Sequence, residues 1–198
     1  RQQGWQTLHV DCEGDLPRSR FGACLVAIDD NFGILFGGMT QDGVVLNDFW
    51  LWTVSQREDG TKSVHLANRT SSLHDATPVS KYLGRFGATV AKTGYGVFVI
   101  GGIGQCGVLP AAFEVILVDS SRLCDDRDGK SWNQSILSPI GLGVEPPQPR
   151  PLLIGHASSD VASSREPCPG DGSGVSDVLI MGGGAVCFSF GTFWNNGT

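Results

Sequence analysis

No run of this chain approaches the roughly 18 consecutive apolar residues that a membrane-crossing helix needs, and residues 1–30 lack the basic start and apolar centre of a signal peptide. The expectation is a soluble, cytoplasmic protein with no membrane partner. Positive charge is also in short supply: 14 Lys and Arg against 20 Asp and Glu leave a formal net charge of −6. A broad grip on a phosphate backbone needs clustered cations that displace counterions, so any nucleic-acid contact must be local. Six cysteines (Cys12, Cys24, Cys106, Cys124, Cys168 and Cys187) are scattered, with no Cys-x-x-Cys pair and no zinc-ligand spacing to any of the four histidines. Reduced thiols and no metal are expected, with the disulfides of a secreted protein as the alternative. Catalytic signatures are missing as well: there is no Gly-x-Ser-x-Gly elbow, no His-Glu-x-x-His and no phosphate-cradling Gly-x-x-x-x-Gly-Lys. Asp125-Asp126-Arg127-Asp128 lacks the turn glycine and closing glutamate of a calcium loop and reads as a solvated turn.

Glycine, by contrast, is abundant: 28 residues, where average usage would give about 14 in 198. It recurs in pairs that end apolar strands, at Gly33-Ile34-Leu35-Phe36-Gly37-Gly38, at Gly96-Val97-Phe98-Val99-Ile100-Gly101-Gly102 and at Val178-Leu179-Ile180-Met181-Gly182-Gly183. Such recurrence indicates stacked modules. A second marker stays in register with the first: Arg20-Phe21-Gly22-Ala23 lies ahead of the first pair and Arg85-Phe86-Gly87-Ala88 ahead of the second. Before the third pair stands Ile154-Gly155-His156-Ala157, after a Pro-rich approach at Pro146, Pro147, Pro149 and Pro151. Within each unit a short apolar strand, a polar turn and a second strand ending in the glycine pair make a hairpin. A loop and a third strand follow (47–54 in the first unit, 113–119 in the second), then a weaker fourth; Trp132 opens the fourth strand of the second unit, and Trp5 that of a preceding one.

Four antiparallel strands per module is the layout of a propeller blade, and the Gly-Gly, Asn-Asp-aromatic and Trp markers resemble the kelch repeat. The expected fold is an all-β, incomplete kelch-type β-propeller spanning 1–198. Residues 1–16 end a preceding blade, 17–80 and 81–148 form two blades, and 149–198 form a partial blade with a flexible loop near 158–176. From Gly37 to Gly101 is 64 residues and from Gly101 to Gly182 is 81, against about 50 for a kelch unit; the excess is assigned to loops at 55–80 and 158–176. The glycine pairs let backbones pass closely near the axis, and Phe36, Phe49, Trp50, Phe98 and Phe113 fill the space between blades. The chain starts at Arg1 and stops soon after the third pair, which reads as a fragment of a longer polypeptide whose other blades lie outside it.

Arg18, Arg20, Arg85 and Arg150 cluster where blades begin. Stitching of carbonyls and carboxylates is their default use, with contact to a substrate phosphate as the alternative. Trp5, Trp52 and Trp194 have burial as the default against base stacking. His156 reads as a structural histidine, and His9, His65 and His74 as loop or strand-face residues. Gly182-Gly183-Gly184 is followed by no helical pattern, as a dinucleotide or S-adenosylmethionine loop would require.

The third pair continues into Gly184-Ala185-Val186-Cys187-Phe188-Ser189-Phe190-Gly191-Thr192-Phe193-Trp194-Asn195. This run resembles the end-of-kelch signature of the tRNA wybutosine-synthesising proteins related to leucine carboxyl methyltransferases. The resemblance implies a non-catalytic propeller joined to an S-adenosylmethionine-dependent methyltransferase domain of the same polypeptide, with a jumonji-like domain following in some fungal relatives. The implied activity is carboxyl methylation and then methoxycarbonylation, completing wybutosine at the guanosine beside the anticodon of phenylalanine tRNA. On that reading the cofactor S-adenosylmethionine belongs to the full-length parent and none is bound by this fragment. The propeller walls the pocket, with Arg20, Arg85, Ser189, Thr192 and Asn195 as candidate substrate-binding residues. The alternative is a plain kelch adaptor that presents its loops to a protein partner.

Overall fold

The computed structural model describes residues 8–76, 82–93, 96–105, 107–108, 115–133, 136–139, 155, 157–161, 177–187 and 191–194. The first sheet contains β1 (His9–Cys12), β2 (Cys24–Ala27), β3 (Phe32–Phe36), β4 (Phe49–Gln56) and β5 (Lys62–Asn68), and is followed by the short helix α1 (Thr70–Ala76). Its strand order is β2-β3-β4-β5, a continuous antiparallel meander, with β1 added in parallel outside β5. The second sheet repeats the meander with β6 (Thr89–Thr93), β7 (Gly96–Ile100), β10 (Val115–Val118) and β11 (Leu137–Pro139). Between β7 and β10 lies the two-residue ladder β8 (Ile103–Gly104) with β9 (Gly107–Val108), and α2 (Ser120–Asp125) precedes β11. In the third unit, β12 (Ala157–Val161) pairs with β13 (Asp177–Met181), and β14 (Gly184–Cys187) pairs with β15 (Gly191–Trp194).

Alternation along the strands decides what packs where. Phe32, Ile34 and Phe36 occupy alternate positions of β3 and are fully buried, as are Val97 and Val99 of β7 and Ile116 and Val118 of β10. These faces meet in one core that also takes Leu51, Leu73, Leu83, Leu123, Trp132, Ile136 and Leu137, so the principal core lies between the first two blades. Phe36 stacks on Phe49 at 6.2 Å, and Phe49 meets Trp132 of the second blade edge-on at 5.8 Å. The opposite face of the second blade carries Ala91, Ile100 and Val115 with Phe98, against which Val178 of the third unit packs. The inter-blade use read for Phe36, Phe49 and Phe98 matches this packing; Trp50 is buried on the other face of β4, its Nε1 donating to Asp48, and Phe113 lies outside the described residues.

The structure departs from the sequence reading at several boundaries. Residues 1–16 were read as the end of a preceding blade, yet their strand His9–Cys12 pairs with β5 of the first sheet, in register from His9 with Ser63 to Cys12 with Leu66. An outer strand leaves one row of backbone N–H and C=O groups unpaired, and β1 satisfies the row on β5. Trp5 lies outside the described residues. The supposed loop 55–80 is mostly regular: the Asp59-Gly60 turn joins β4 to β5, and α1 follows. The described part of the third strand of the second unit, Val115–Val118, ends before Asp119, and the fourth begins at Leu137 rather than Trp132, whose indole is spent in the core with Nε1 donating to Asp126 O at 2.8 Å. Residues 158–161 of the supposed mobile loop belong to β12. Among the described residues no helix is long and apolar enough to cross a membrane.

Candidate functional site

The three units share one backbone geometry where their inner strands start. Gly22, Gly87 and Gly155 each adopt a left-handed conformation, at φ 61°, 70° and 60°. They are linked in a chain of backbone bonds from blade to blade: Gly87 N donates to Gly22 O at 2.9 Å, and Gly155 N to Gly87 O at 2.7 Å. Facing them are the glycine pairs, all left-handed as well, at φ 65° and 91°, 67° and 91°, and 75° and 94°. Gly38 N donates to Arg85 O at 2.8 Å, and a Cβ on Gly37 would stand only 2.4 Å from that same oxygen. The pair is therefore glycine because the backbone opening the next blade crosses directly over it.

Arg20 and Arg85 are the side chains that fasten this crossing. Arg20, 7% exposed, donates from Nη1 to Gly37 O at 3.0 Å and makes a forked pair with Asp48, 2.5 Å to Oδ1 and 2.7 Å to Oδ2. Its Nε donates to Arg18 O at 3.0 Å. Asp48 also accepts from Trp50 Nε1 at 2.7 Å. Burial works to raise the Asp48 carboxyl, but the hydrogen bonds from Arg20 and Trp50 outweigh it and hold it below the usual carboxylate value. Arg85 is fully buried; its Nε donates to Tyr82 O at 2.8 Å and its Nη1 to Gly101 O at 2.7 Å, the counterpart of the Arg20 to Gly37 bond. Burial pulls the Arg85 pKa down to about 10, so the guanidinium stays charged at neutral pH. Nearby, burial pushes the Cys24 thiol up to about 12, which keeps it neutral and a poor nucleophile.

Of the candidate substrate-binding residues, then, the structure brings Arg20 and Arg85 to equivalent positions of adjacent blades and engages both in stitching. Thr192 lies on β15, opposite Val186 of β14 in the backbone register. Ser189 and Asn195 lie outside the described residues, as do Arg150 and His156. Trp52 lies over Gly33, where a Cβ would come within 2.3 Å of its ring. His74 sits on α1 and shares a hydrogen bond with Asn47 Nδ2 at 3.1 Å.

One residue of the blade start was not singled out. Phe21 follows Arg20 and is 53% exposed, its ring edge-on to Phe86 of the next blade at 6.3 Å. The available signal was the repetition of the aromatic in register, Arg-Phe-Gly-Ala in two consecutive units. Arg18, three residues earlier and 58% exposed, approaches Asp42 at 3.8 Å.

At the other end of the first blade a cavity of about 200 Å³ is lined by Glu13, Phe32, Leu51, Thr53, His65, Ala67, Arg69, Arg127 and Asp128. Glu13 accepts from Arg69 at 2.9 Å and pairs with His65 at 3.3 Å, and these two bonds hold its carboxyl below the ordinary value. Arg127 stands 4.5 Å over the Phe32 ring and reaches Asp29 at 3.1 Å, tying the turn after α2 to the first blade. Within the cavity lining, Glu13, His65 and Arg69 are thus engaged with one another, while Arg127 and Asp128 pair with Asp29 and Lys130 outside it. Among the described residues no group of three or more His, Cys, Asp or Glu is placed to hold a metal ion.

The family model for the β-propeller of tRNA wybutosine-synthesizing protein 4 matches residues 2–197. A protein of that name from Aspergillus fumigatus is 44% identical over 195 residues, covering 98% of this chain and 17% of the relative. The Emericella nidulans protein is 42% identical over 99% of this chain and 18% of its own length, and that of Schizosaccharomyces pombe 27% identical over 96% and 24%. The chain spans about a sixth of the length of the most similar of these relatives.

Proposed function

From the premise that this chain belongs to the β-propeller family of tRNA wybutosine-synthesizing protein 4, we propose that it is the non-catalytic propeller of a cytoplasmic tRNA-modifying enzyme. The parent completes wybutosine on phenylalanine tRNA by S-adenosylmethionine-dependent carboxyl methylation followed by methoxycarbonylation. Its methyltransferase domain is the propeller's partner within one polypeptide. The observation that carries this reading is the match over residues 2–197 by a chain that accounts for only 17% of its Aspergillus fumigatus relative, which leaves ample length for a catalytic domain elsewhere.

The residues described here do not fit a cradle for S-adenosylmethionine. Such a cradle needs a glycine-rich turn that opens a helix, and Gly182-Gly183 leads instead into the hairpin of β14 and β15, as Gly101-Gly102 leads into that of β8 and β9. No chemical step is therefore assigned to the described residues. Its contribution is a wall of fixed shape, built from blades bonded backbone to backbone at Gly22, Gly87 and Gly155, against which a substrate side chain can be positioned.

The test is mass spectrometry of phenylalanine tRNA from cells in which the gene is deleted. The expected result is accumulation of the intermediate with its carboxyl unmethylated, restored by the full-length gene but not by one lacking this propeller segment. Normal wybutosine after deletion would refute the proposal.

A further inference from the structure

We propose that the face of the first blade turned away from the principal core is an inter-blade joint, covered by a further blade of the same polypeptide whose second strand ends in a glycine pair. The inference rests on the propeller fold and is independent of the tRNA reading above.

Three observations carry it. First, the blades stack by one rule. With the glycine pairs aligned, Gly33, Val97 and Val178 are equivalent positions. Val97 is fully buried in the core shared with the first blade, and Val178 packs on the second, so this position faces the preceding blade in both units that have one. In the first blade the cross-strand register sets Leu25, Leu35 and Trp50, with Ala27, Gly33 and Trp52, on that same face, opposite Phe32, Ile34 and Phe36. Second, burial there differs as an uncovered joint requires. Val99 and Val118 of the second blade are 0% exposed, whereas their counterparts Leu35 and Trp52 are only half-buried. Leu25 is 66% exposed, while its counterpart Val90 packs against the core. Phe21 is 53% exposed, while Phe86 is half-buried with the Phe21 ring edge-on to it. Third, two backbone groups lack the partners that their counterparts have. Arg85 O accepts from Gly38 N at 2.8 Å and Gly87 N donates to Gly22 O at 2.9 Å. Among the described residues, Arg20 O and Gly22 N take no backbone bond. One acceptor and one donor set at this crossing call for a glycine-pair N–H and the carbonyl of a left-handed glycine, the two groups that a blade presents together. The occupant is therefore a blade, and a chain that makes up 17% of its Aspergillus fumigatus relative leaves room for one.

The experiment uses the full-length protein that contains this chain. In Leu25→Cys, the new thiol should react with N-ethylmaleimide at least about ten-fold more slowly than exposed Cys124, read by peptide mass spectrometry, because a joint residue is reached only when the blades open. The protection should be the same at every protein concentration and with or without added tRNA. Wild-type protein supplies a second measurement that needs no substitution: under hydroxyl-radical footprinting, Phe21 should be modified no faster than Phe86. Labelling of Leu25→Cys at the rate of Cys124, or modification of Phe21 several-fold faster than Phe86, would show an open face and overturn the joint. Protection that rises with protein concentration would assign the face to a second copy, and protection that requires tRNA would assign it to RNA; either result overturns the proposal and leaves the propeller assignment standing.

Discussion

Replacing Gly37 by alanine isolates the crossing of one blade over the next. Two costs add at this position. The residue sits at φ 65°, where an L side chain costs about 1–2 kcal/mol. Its new Cβ would also lie 2.4 Å from Arg85 O, a backbone atom that cannot swing aside as a side chain would. Relieving that overlap means moving the segment that opens the second blade, with the Gly38 to Arg85 bond and the Arg20 to Gly37 bond both at stake. Overpacking of this kind costs about 1–3 kcal/mol. Gly43 provides the control, since it is left-handed at φ 81° but has nothing within 4 Å of a built Cβ, so Gly43→Ala bears the backbone cost alone. At roughly 2–4 °C per kcal/mol for a domain of this size, Gly37→Ala should melt about 5 °C below Gly43→Ala. Scanning calorimetry of the full-length protein, read at the propeller transition, measures the difference. Equal melting temperatures for the two variants would mean that the crossing is not a tight contact, and the account of the glycine pairs would fail with it.

Two further outcomes follow from the same region. Arg20→Met should cost about 3 kcal/mol because it strands a largely buried carboxylate, and Arg20→Met with Asp48→Leu should cost less than the two single changes together. The Asp48 carboxyl is depressed in the fold, so its contribution is present above the unfolded value of 3.8 and is lost as pH falls through the lower folded value. The stability gap between wild type and Asp48→Asn should therefore close on acidification below that value, and a gap independent of pH from 6 to 2 would sink the assignment. Cys24 should resist alkylation by iodoacetamide at pH 8 in the native protein while exposed Cys124 reacts, since burial keeps the Cys24 thiol neutral and covered; equal labelling of the two, read by peptide mass spectrometry, would contradict that.

The blade pattern was legible because two periodic signals coincide. Alternation in β3 and β7 gives the strands, and glycine is demanded at fixed places by left-handed backbone and by the crossing over Gly37. The short helices were not legible. Thr70–Ala76 holds Thr, Ser, His and Asp, poor helix formers, in too few residues to show a period; the Asn68 side chain, accepting from Thr70 N at 3.0 Å, and packing of Leu73 in the core sustain it. Asp119 caps α2 through bonds to Ser121 N and Arg122 N, a signal that is visible only once a helix is suspected. The parallel addition of β1 has no local sequence cause at all, since it depends on which outer edge is open. At the candidate site, the arginines were legible as positions but their partners were not: Asp48 lies 28 residues from Arg20 and joins it only through the register of β3 with β4.

That register extends the argument to the other units. Phe36 pairs with Phe49 and Ile100 with Val115, so the residue before Val115, Glu114, takes the place in sequence that Asp48 takes before Phe49. In sequence an acid thus recurs at this position in the second unit, at a residue outside the described ones. In the third, Gly155 shares the left-handed geometry of Gly22 and Gly87, and the residue two before it is Leu153 where the others have Arg20 and Arg85. The guanidinium at this position therefore serves the joint between particular blades, since a general phosphate contact would call for the cation in every unit. In the first unit the arginine stands where the register of β3 with β4 brings a carboxylate, Asp48, to receive it in a forked pair, and in the second the guanidinium is held by the carbonyls of Tyr82 and Gly101.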